Sequence, residues 1–285
     1  YFYYALRNID LTNYGYERHF KYLKEAKIPT PPPHAQQQMA GILSAYDELI
    51  ENSQRRIRIL ETMARNLYRE WFVNFRFPGH EAIPRVDSPL GEIPKGWEVK
   101  KLGLIAKEVR NNVPKGQLDQ PLPYVGLEHI PRRSLALDDW ETATYLGSNK
   151  LAFKKGDVLF GKIRPYFHKV SVAPFDGVCS ADTIVIRACR REHAALVVAC
   201  ASSDEFVAEA SATANGAKMP RANWGVLAEY QVVVPTGTVA ETFSTLFMDI
   251  ISQQQVLISQ IQNLHRTRDL LLPRLLSGQV ELRAA

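Results

Sequence analysis

The chain has 285 residues, 46% of them hydrophobic, which excludes a disordered chain and provides enough apolar surface for one large domain or two modest ones. It has no run of about 18 uninterrupted apolar residues and no signal-peptide pattern, so we expect a soluble, cytoplasmic protein that neither spans a membrane nor is secreted. Thirty-five Lys and Arg against thirty Asp and Glu give a net charge of +5, a weak indication of an acidic partner.

The first residue and the cysteines give two further expectations. The chain begins at Tyr1 in what resembles the middle of a structural element, so we expect further sequence before it. Cys179, Cys189 and Cys200 lie 10 and 11 residues apart, with no histidine at ligand spacing. This pattern predicts reduced, mostly buried thiols rather than a disulfide framework or a zinc site.

A heptad pattern predicts one long helix over residues 36–75. Its apolar positions recur at alternating spacings of four and three, with one polar exception. The members of this first seam are Met39, Leu43, Tyr46, Ile50, Ser53, Ile57, Leu60, Ala64, Leu67 and Trp71. The segment contains no proline and only Gly41 as a glycine, so an unbroken helix roughly 60 Å long is allowed. Pro33 fits just before its start, and Pro78-Gly79 should end it.

The residues after this helix predict a linker and then a mixed domain. Residues 78–96 (PGHEAIPRVDSPLGEIPKG) are rich in proline and glycine, which is typical of a linker. Residues 97–235 combine short apolar strands with a helical stretch and predict an α/β domain. The predicted strands cover residues 96–102, 124–127, 157–160, 169–172 and 182–187, and the helix covers residues 192–210.

A second seam near the C-terminus repeats the first at an offset of 204 residues. Its members are Phe243, Phe247, Ile250, Gln254, Leu257, Ile261, Leu264, Arg268, Leu271 and Leu275. The same offset aligns residues 19–31 with residues 223–235. Phe20 and Trp224 therefore occupy matching positions, where we expect them to contribute to a core rather than to stack on bases. Each repeat ends in a short strand, a proline and a long helix.

Two apolar seams in one chain predict that the long helices pack on each other. Residue chemistry alone allows a parallel or an antiparallel pair, because a whole globular segment separates the two helices. We expect Pro273 to kink or break the second helix near Leu272, and Gly278 to stop it.

Several motifs, in the same order along the chain, resemble the specificity subunits of Type I restriction-modification enzymes. The family's central conserved region is resembled by residues 31–43 (PPPHAQQQMAGIL), 47–52 (DELIEN) and 67–79 (LYREWFVNFRFPG), and its distal conserved region by residues 269–280 (DLLLPRLLSGQV). The start of a target-recognition domain is resembled by residues 96–102 (GWEVKKL), and its middle by residues 156–160 (GDVLF) with 162–165 (KIRP). The resemblance covers essentially the whole chain.

The resemblance implies a mixed α/β (α+β) fold, with a globular target-recognition domain and two long helices paired as an antiparallel coiled coil. The implied segments are the tail of an upstream recognition domain (1–33), the central conserved helix (34–77), a linker (78–96), a target-recognition domain (97–235) and the distal conserved helix with a C-terminal tail (236–285). The intact protein would recognise a bipartite double-stranded DNA site, one half per domain. It would recruit methyltransferase subunits, which a restriction motor-nuclease subunit then joins.

Three loop-like stretches of the recognition domain carry side chains suited to base edges and phosphates. The candidate DNA-binding residues are Asn111, Lys115 and Gln117; Lys162, Arg164, Tyr166, His168 and Lys169; and Thr213, Asn215, Lys218 and Arg221. The second group lies in a basic window, residues 150–169, that holds six Lys and Arg against the single Asp157. Each stretch could instead be an ordinary polar turn or a solvated strand face. Glu128-His129 could contact a cytosine or simply finish a turn.

An enzyme is the rival class, and the sequence does not favour it. Residues 156–162 (GDVLFGK) have the spacing of a phosphate-binding loop, but Ile163 stands where a magnesium-liganding hydroxyl is needed. No Asn-Pro-Pro-Tyr or Asp-Pro-Pro-Tyr motif for amino-methylation occurs. We therefore expect a non-catalytic chain without a cofactor or metal. The alternative is a coiled-coil adaptor whose α/β domain binds a non-nucleic ligand, and the salt dependence of binding would distinguish the two.

Overall fold

The computed structural model of the chain describes residues 1–9, 23–235 and 237–280. Its α-helices are α1 (Phe2–Arg7), α2 (Pro33–Tyr68), α3 (Leu102–Ile105), α4 (Ala194–Ala201), α5 (Asp204–Ala212), α6 (Trp224–Leu227) and α7 (Thr238–Leu276). A π-helical turn, Arg69–Val73, continues α2, and 3-10 turns form at His80–Ala82, Pro165–Phe167 and Arg191–His193. These elements belong to two compact units, residues 1–56 with 259–285 and residues 57–258.

The strands are short and lie within the second unit. They are β1 (Arg85–Val86), β2 (Ile93–Pro94), β3 (Glu98–Lys101), β4 (Ala106–Glu108), β5 (Asn111–Val113), β6 (Gly116–Val125), β7 (Glu141–Leu146), β8 (Lys150–Phe153), β9 (Val158–Gly161), β10 (Val170–Val172), β11 (Gly177–Ser180), β12 (Thr183–Ala188) and β13 (Gln231–Val234). One sheet has the order β10-β9-β12-β4 and another the order β5-β8-β11-β6-β7. Only the β11–β6 pair is parallel among the strand pairs of the described residues, so the predicted mixed fold class is confirmed, with largely antiparallel sheets.

The long helix α2 begins and ends where local chemistry requires. Pro33 is its first residue, a position where a missing N–H costs nothing and the fixed φ of proline suits the helix. At the other end Phe75 adopts φ +55, and the N–H of Arg76 donates to the carbonyl of Glu70 at 2.7 Å. A left-handed residue followed by such a backbone bond is a common helix stop.

In the second unit an aromatic cluster packs the end of the α2 helix against the start of α7. The Trp71 ring centroid lies 5.8 Å from that of Phe243, and the Phe72 centroid lies 4.6 Å from Phe243 and 5.4 Å from Trp97. All four side chains are buried. Strand β3 follows Trp97 directly. The aromatic cluster therefore joins the two helices and the strands of this unit into one core.

In the first unit the start of α2 packs against the end of α7. Met39 and Leu43 form a buried cluster with Leu272, Leu275 and Tyr4. Each unit thus pairs opposite ends of the two helices, which is the antiparallel arrangement. Every member of both seams is buried or half-buried, and burial of each Leu or Ile side chain contributes about 1.5 to 3 kcal/mol.

The seam also buries one cation, Arg268, which is only 5% exposed. Its Nη1 donates to Asp47 Oδ1 at 2.6 Å, and its Nη2 donates to Asp269 Oδ1 at 2.8 Å. The hydroxyl of Tyr4 donates to the other oxygen of Asp47 at 2.6 Å. Burial opposes ionisation of Asp47, but the hydrogen bonds from Tyr4 and Arg268 outweigh it, and its pKa lies below the ordinary value of 3.8. A buried charge is tolerated here because its partners are in place.

We expect Asp47→Ala to destabilise the helix pair by about 2 kcal/mol, because Arg268 stays buried with only Asp269 as a partner. Urea unfolding followed by circular dichroism measures this loss. Since the pKa of Asp47 is lowered on folding, its contribution is complete above the ordinary value and disappears as the pH falls through the folded value. Asp47→Ala should therefore lose its deficit relative to the parent in strong acid; a deficit that is independent of pH would contradict the ion pair.

The structure shows that Pro273 does not break the second helix near Leu272, whereas the expected kink stays a prediction. The α7 helix continues to Leu276, and the N–H of Ser277 still donates to the carbonyl of Pro273 at 3.0 Å. A proline near the end of a helix removes only one backbone hydrogen bond, and the buried Leu272 and Leu275 on either side hold the last turn in place. Gly278 has φ +74 just beyond the end, as expected of a helix stop.

Two other predicted segments are more structured than the sequence indicated. The predicted helix over residues 192–210 is two helices, because the side chain of Ser203 accepts from the N–H of Phe206 at 3.2 Å and caps α5. The predicted linker contains the β1–β2 pair, in which Ile93 is buried in the main core. Trp224 is half-buried against the same core, whereas its counterpart Phe20 lies outside the described residues.

Candidate nucleic-acid interface

The last part of the basic window, residues 162–169, forms the connection between the two strands β9 and β10. Strand β9 is fully buried in the four-stranded sheet, where it pairs with both β10 and β12. The next residues, Lys162 to Lys169, leave the sheet and form the short 3-10 turn Pro165–Phe167. A rigid buried strand therefore fixes the position at which the cationic loop begins.

The phosphate-loop spacing in residues 156–162 corresponds to this strand and not to a loop. Asp157 is 2% exposed and accepts from Nε and Nη2 of Arg187, each at 2.7 Å, and from the N–H of Lys154 at 2.7 Å. The hydrogen bond from Asp157 raises the pKa of the Arg187 guanidinium. Backbone amides of a strand are occupied by sheet pairing, so they cannot surround a phosphate.

Backbone hydrogen bonds join the basic window to the loop over residues 213–221. The N–H of Arg164 donates to the carbonyl of Pro220 at 2.7 Å, and the N–H of Ala222 donates to the carbonyl of Lys162 at 2.9 Å. Asn215 and Arg221 exchange backbone bonds of 3.0 and 2.8 Å, which close the loop between them. Two of the three candidate stretches predicted from the sequence are thus neighbours in the structure.

A third loop, of which the sequence singled out only Glu128-His129, completes this surface. The N–H of Arg133 donates to the carbonyl of His168 at 2.8 Å, and Arg132 forms an isolated antiparallel bridge with Lys169. We refer to residues 127–133, 162–169 and 213–221 together as the basic loop surface. The sequence signal that could have identified Arg132 is the pair of adjacent arginines, Arg132 and Arg133.

Cationic and aromatic side chains dominate the exposed part of the basic loop surface. Arg132, Lys218 and Arg221 are exposed, and Lys162, Arg164 and Lys169 are half-buried. Tyr166 is 55% exposed, although it lies between the buried Pro165 and the half-buried Phe167. Arg221 has a carboxylate nearby, since its Nε lies 3.7 Å from Asp182 Oδ1.

The backbone of the basic window is strained at two residues. Arg164 has φ +50 and His168 has φ +51, both in the left-handed region that residues with a Cβ rarely occupy. The bonds that hold them run from Phe167 N–H to Arg164 O at 2.9 Å and from His168 N–H to Pro165 O at 2.8 Å. Strain of this kind, about 1 to 3 kcal/mol per residue, concentrates at functional sites.

His168 is not available to DNA, although the sequence suggested it as a contact. It is 7% exposed, and its Nε2 lies 3.0 Å from the carbonyl of Ser202. Burial lowers its pKa below 6.5. The left-handed conformation of the residue turns its ring toward the α4–α5 junction, so we leave it out of the proposed contacts.

The remaining candidates have mixed surroundings. Lys169 donates from Nζ to the carbonyl of Leu127, and burial, followed by the charge of Arg132, lowers its pKa. The hydroxyl of Thr213 donates to the carbonyl of Glu209 at 2.7 Å and so completes helix α5. His129 finishes a turn, because its Nδ1 accepts from the N–H of Gly126 at 2.9 Å and the residue is 7% exposed.

The stretch Asn111, Lys115 and Gln117 lies on the other sheet. Asn111 is in strand β5, Gln117 is in β6, and the N–H of Lys115 donates to Asn149 Oδ1 at 3.0 Å between them. All three side chains are exposed. The expected loop is therefore mostly strand, and its strands belong to a different sheet from β9 and β10, which flank residues 162–169.

The described residues contain no group of three or more His, Cys, Asp and Glu side chains placed to hold a metal ion. Within the same residues, no helix is both long and apolar enough to cross a membrane. The three cysteines are free thiols, with Cys179 and Cys200 buried and Cys189 exposed. Burial raises the pKa of each buried thiol to about 12, so neither is a ready nucleophile.

The described residues combine two long helices, which pack antiparallel, with a mixed domain that carries the basic loop surface. Comparison with known proteins confirms the resemblance to Type I specificity subunits. A family model for the Type I restriction modification DNA specificity domain matches residues 1–62. The Type I restriction enzyme MjaIX specificity subunit of Methanocaldococcus jannaschii is 29% identical over 278 residues, which cover 91% of this chain and 62% of that protein.

Two further relatives agree. The MjaVIII specificity subunit of the same organism is 30% identical over 158 residues, which cover 51% of this chain and 35% of that protein. The crystal structure of the S subunit of a Type I restriction-modification system from M. genitalium has a TM-score of 0.57 at 14% identity, over 86% of this chain and 61% of that one. This likeness shows the fold. The chain spans less than two thirds of the length of each of these relatives.

Proposed function

We propose that this chain is a DNA-binding specificity subunit of a Type I restriction-modification enzyme, which directs methyltransferase and restriction subunits to a bipartite site. The observation that carries this proposal is the basic loop surface, where separate loops bring cations and an exposed tyrosine together. DNA backbones are bound by clustered Lys and Arg, and bases are contacted by side chains at loop ends. The specificity subunits named above support the same assignment.

The proposed division of labour follows the segments. Residues 97–235 would bind one half of the DNA site, and residues 1–33 would be the tail of a domain for the other half. The two long helices over residues 34–77 and 236–285 would separate the halves. The packing of α2 against α7 supports this proposal, and the π-helical turn after α2 falls within the first of these segments.

Methyltransferase subunits are the proposed partners of the helices. The outer face of α2 carries arginines whose surroundings differ. Arg55 pairs with Glu51 at 3.1 Å on an exposed surface, a contact of little energetic value. Arg65 donates to the carbonyl of Arg133 at 3.3 Å and so reaches the recognition domain. A docking face near Arg55 would therefore be separate from the contacts that hold the domain.

We expect the triple variant Lys162→Ala, Arg164→Ala, Lys169→Ala to bind duplex DNA more weakly and with a flatter salt dependence. Each phosphate contact contributes about 0.9 to the slope of log affinity against log salt, so the slope should fall by about 1 to 3. Fluorescence anisotropy with a labelled duplex between about 50 and 200 mM salt measures it.

The control is Lys154→Ala, a cation whose Nζ is paired with Asp176 at 2.7 Å outside the basic loop surface. It should leave the slope unchanged. An unchanged slope in the folded triple variant would move the DNA face elsewhere, most plausibly to Lys218 and Arg221. If the parent protein binds without any salt dependence, the adaptor alternative gains support.

A further inference from the structure

Two arginines on different loops stack on one phenylalanine at the centre of the basic loop surface. The guanidinium carbon of Arg132 lies 4.1 Å from the ring centroid of Phe167, and that of Arg164 lies 5.9 Å from the same centroid. Phe167 is half-buried, and Tyr166 packs against it edge to face, with ring centroids 4.9 Å apart. The ring therefore holds two positive groups close together in a fixed orientation.

These arginines lack the carboxylate partners that several other arginines of this protein have, such as Arg187 and Arg268. Among the described residues, neither Arg132 nor Arg164 takes part in an ion pair, and Nε of Arg164 is buried without a hydrogen-bond partner. The neighbouring Arg133, by contrast, pairs with Asp204 at 2.8 Å. An unpaired guanidinium beside another cation is unfavourable until an anion arrives.

A third cation increases the repulsion. Lys169 pairs through its backbone with Arg132, and the charge of Arg132 is one of the causes that lower its pKa, after burial. The left-handed backbone of Arg164 fixes where its side chain leaves the loop. Strain and uncompensated charge thus occur at the same place, which is the pattern of a prepared binding site.

We propose that Arg132 and Arg164, stacked on Phe167, form a clamp for one phosphodiester of the DNA backbone. The inference rests on the proposed function and adds two residues to it, Arg132 as a phosphate contact and Phe167 as a positioning residue. Planar guanidinium groups suit phosphate because they donate two parallel hydrogen bonds to its oxygens. A phosphate contact positions the protein on DNA of any sequence, so the clamp contributes affinity rather than base preference.

The test uses a labelled random-sequence duplex of about 30 base pairs, since binding through phosphates needs no specific site. Arg132→Ala should lower the salt slope by about 1, whereas the Lys154→Ala control should not. Phe167→Leu keeps the charges and an apolar side chain but removes the ring, so it should weaken binding about 3-fold with little change in slope. The double variant Arg132→Ala, Phe167→Leu tests whether the two residues act together. In this background Phe167→Leu should weaken binding less than it does alone, because one of the two arginines that the ring orients has been removed.

Arg132→Lys separates charge from stacking. It should retain the slope but bind more weakly than the parent, because an ammonium group makes no planar contact with the ring. Normal affinity and a normal salt slope in both folded Arg132→Ala and Phe167→Leu proteins would refute the clamp. The proposed function would still stand if the parent shows a steep salt dependence. Failure of the parent itself to bind the duplex would refute both.

Discussion

Asp157→Ala is expected to unfold the recognition domain at much lower denaturant concentration than the parent requires. Asp157 is 2% exposed and ties strand β9 to Arg187 of strand β12 through two hydrogen bonds of 2.7 Å. Removing one partner of a buried ion pair costs about 3 to 5 kcal/mol, and we expect about 3 because Arg187 keeps some access to water. Urea unfolding monitored by tryptophan fluorescence measures the loss.

Two comparisons sharpen this result. Asp157→Asn keeps an acceptor for Arg187 and should be less damaging than the alanine variant. Asp176→Ala removes an exposed partner of Lys154 and should change stability little. Equal stability of Asp157→Ala and Asp176→Ala would show that the buried pair does not hold the sheet together. Because residues 162–169 of the basic loop surface begin where β9 ends, the Asp157 variant should also lose DNA affinity.

The helices were the most predictable part of this fold. A heptad seam repeats over ten positions in each helix, and burial follows it closely because each seam needs an apolar partner. Direction was not predictable from residue chemistry, since both orientations bury the same side chains. Arg268 illustrates the limit: the sequence places it in the seam, but its partner Asp47 is distant along the chain.

The candidate interface was predictable only in composition. The sequence located cations in loop-like stretches, but long-range pairing decides which loops meet, as in the bridges of Ile163 with Arg221 and of Arg132 with Lys169. Side-chain direction was also hidden. His168 lies in the basic window, yet its left-handed backbone places its ring in the interior, while Tyr166 two residues earlier is exposed. No local propensity encodes that difference.

Loop prediction failed where strands were short. Residues 111–117 contain a proline and a glycine, which indicated a loop. Strand β5 nevertheless ends at Val113 and β6 begins at Gly116, so only two residues lie between the strands. Strand pairing with β8 and β7 overrides the local turn preference there. Buried ion pairs such as Asp157 with Arg187 were likewise invisible, because each residue alone resembles an ordinary polar residue at a strand end.

The purified chain is expected neither to methylate nor to cleave DNA on its own, and DNA methylation should appear only when methyltransferase subunits of the same system are added. The sequence has no Asn-Pro-Pro-Tyr or Asp-Pro-Pro-Tyr motif, and under the proposed function the chain would position the added subunits, which would transfer the methyl group. Incorporation of labelled methyl groups into host DNA, with and without the added subunits, measures an effect that should be all or none.

The cofactor gives an independent check of this expectation. Because the methyl donor would bind the methyltransferase subunits, calorimetry should detect no binding of S-adenosylmethionine to the isolated chain. The triple variant Lys162→Ala, Arg164→Ala, Lys169→Ala should still assemble with the added subunits, since its helices are unchanged. It should nevertheless methylate poorly, because it binds DNA more weakly. Stoichiometric cofactor binding to the isolated chain would overturn the specificity-subunit assignment and favour an enzyme. Loss of assembly in the triple variant would instead show that the basic loop surface serves protein contacts.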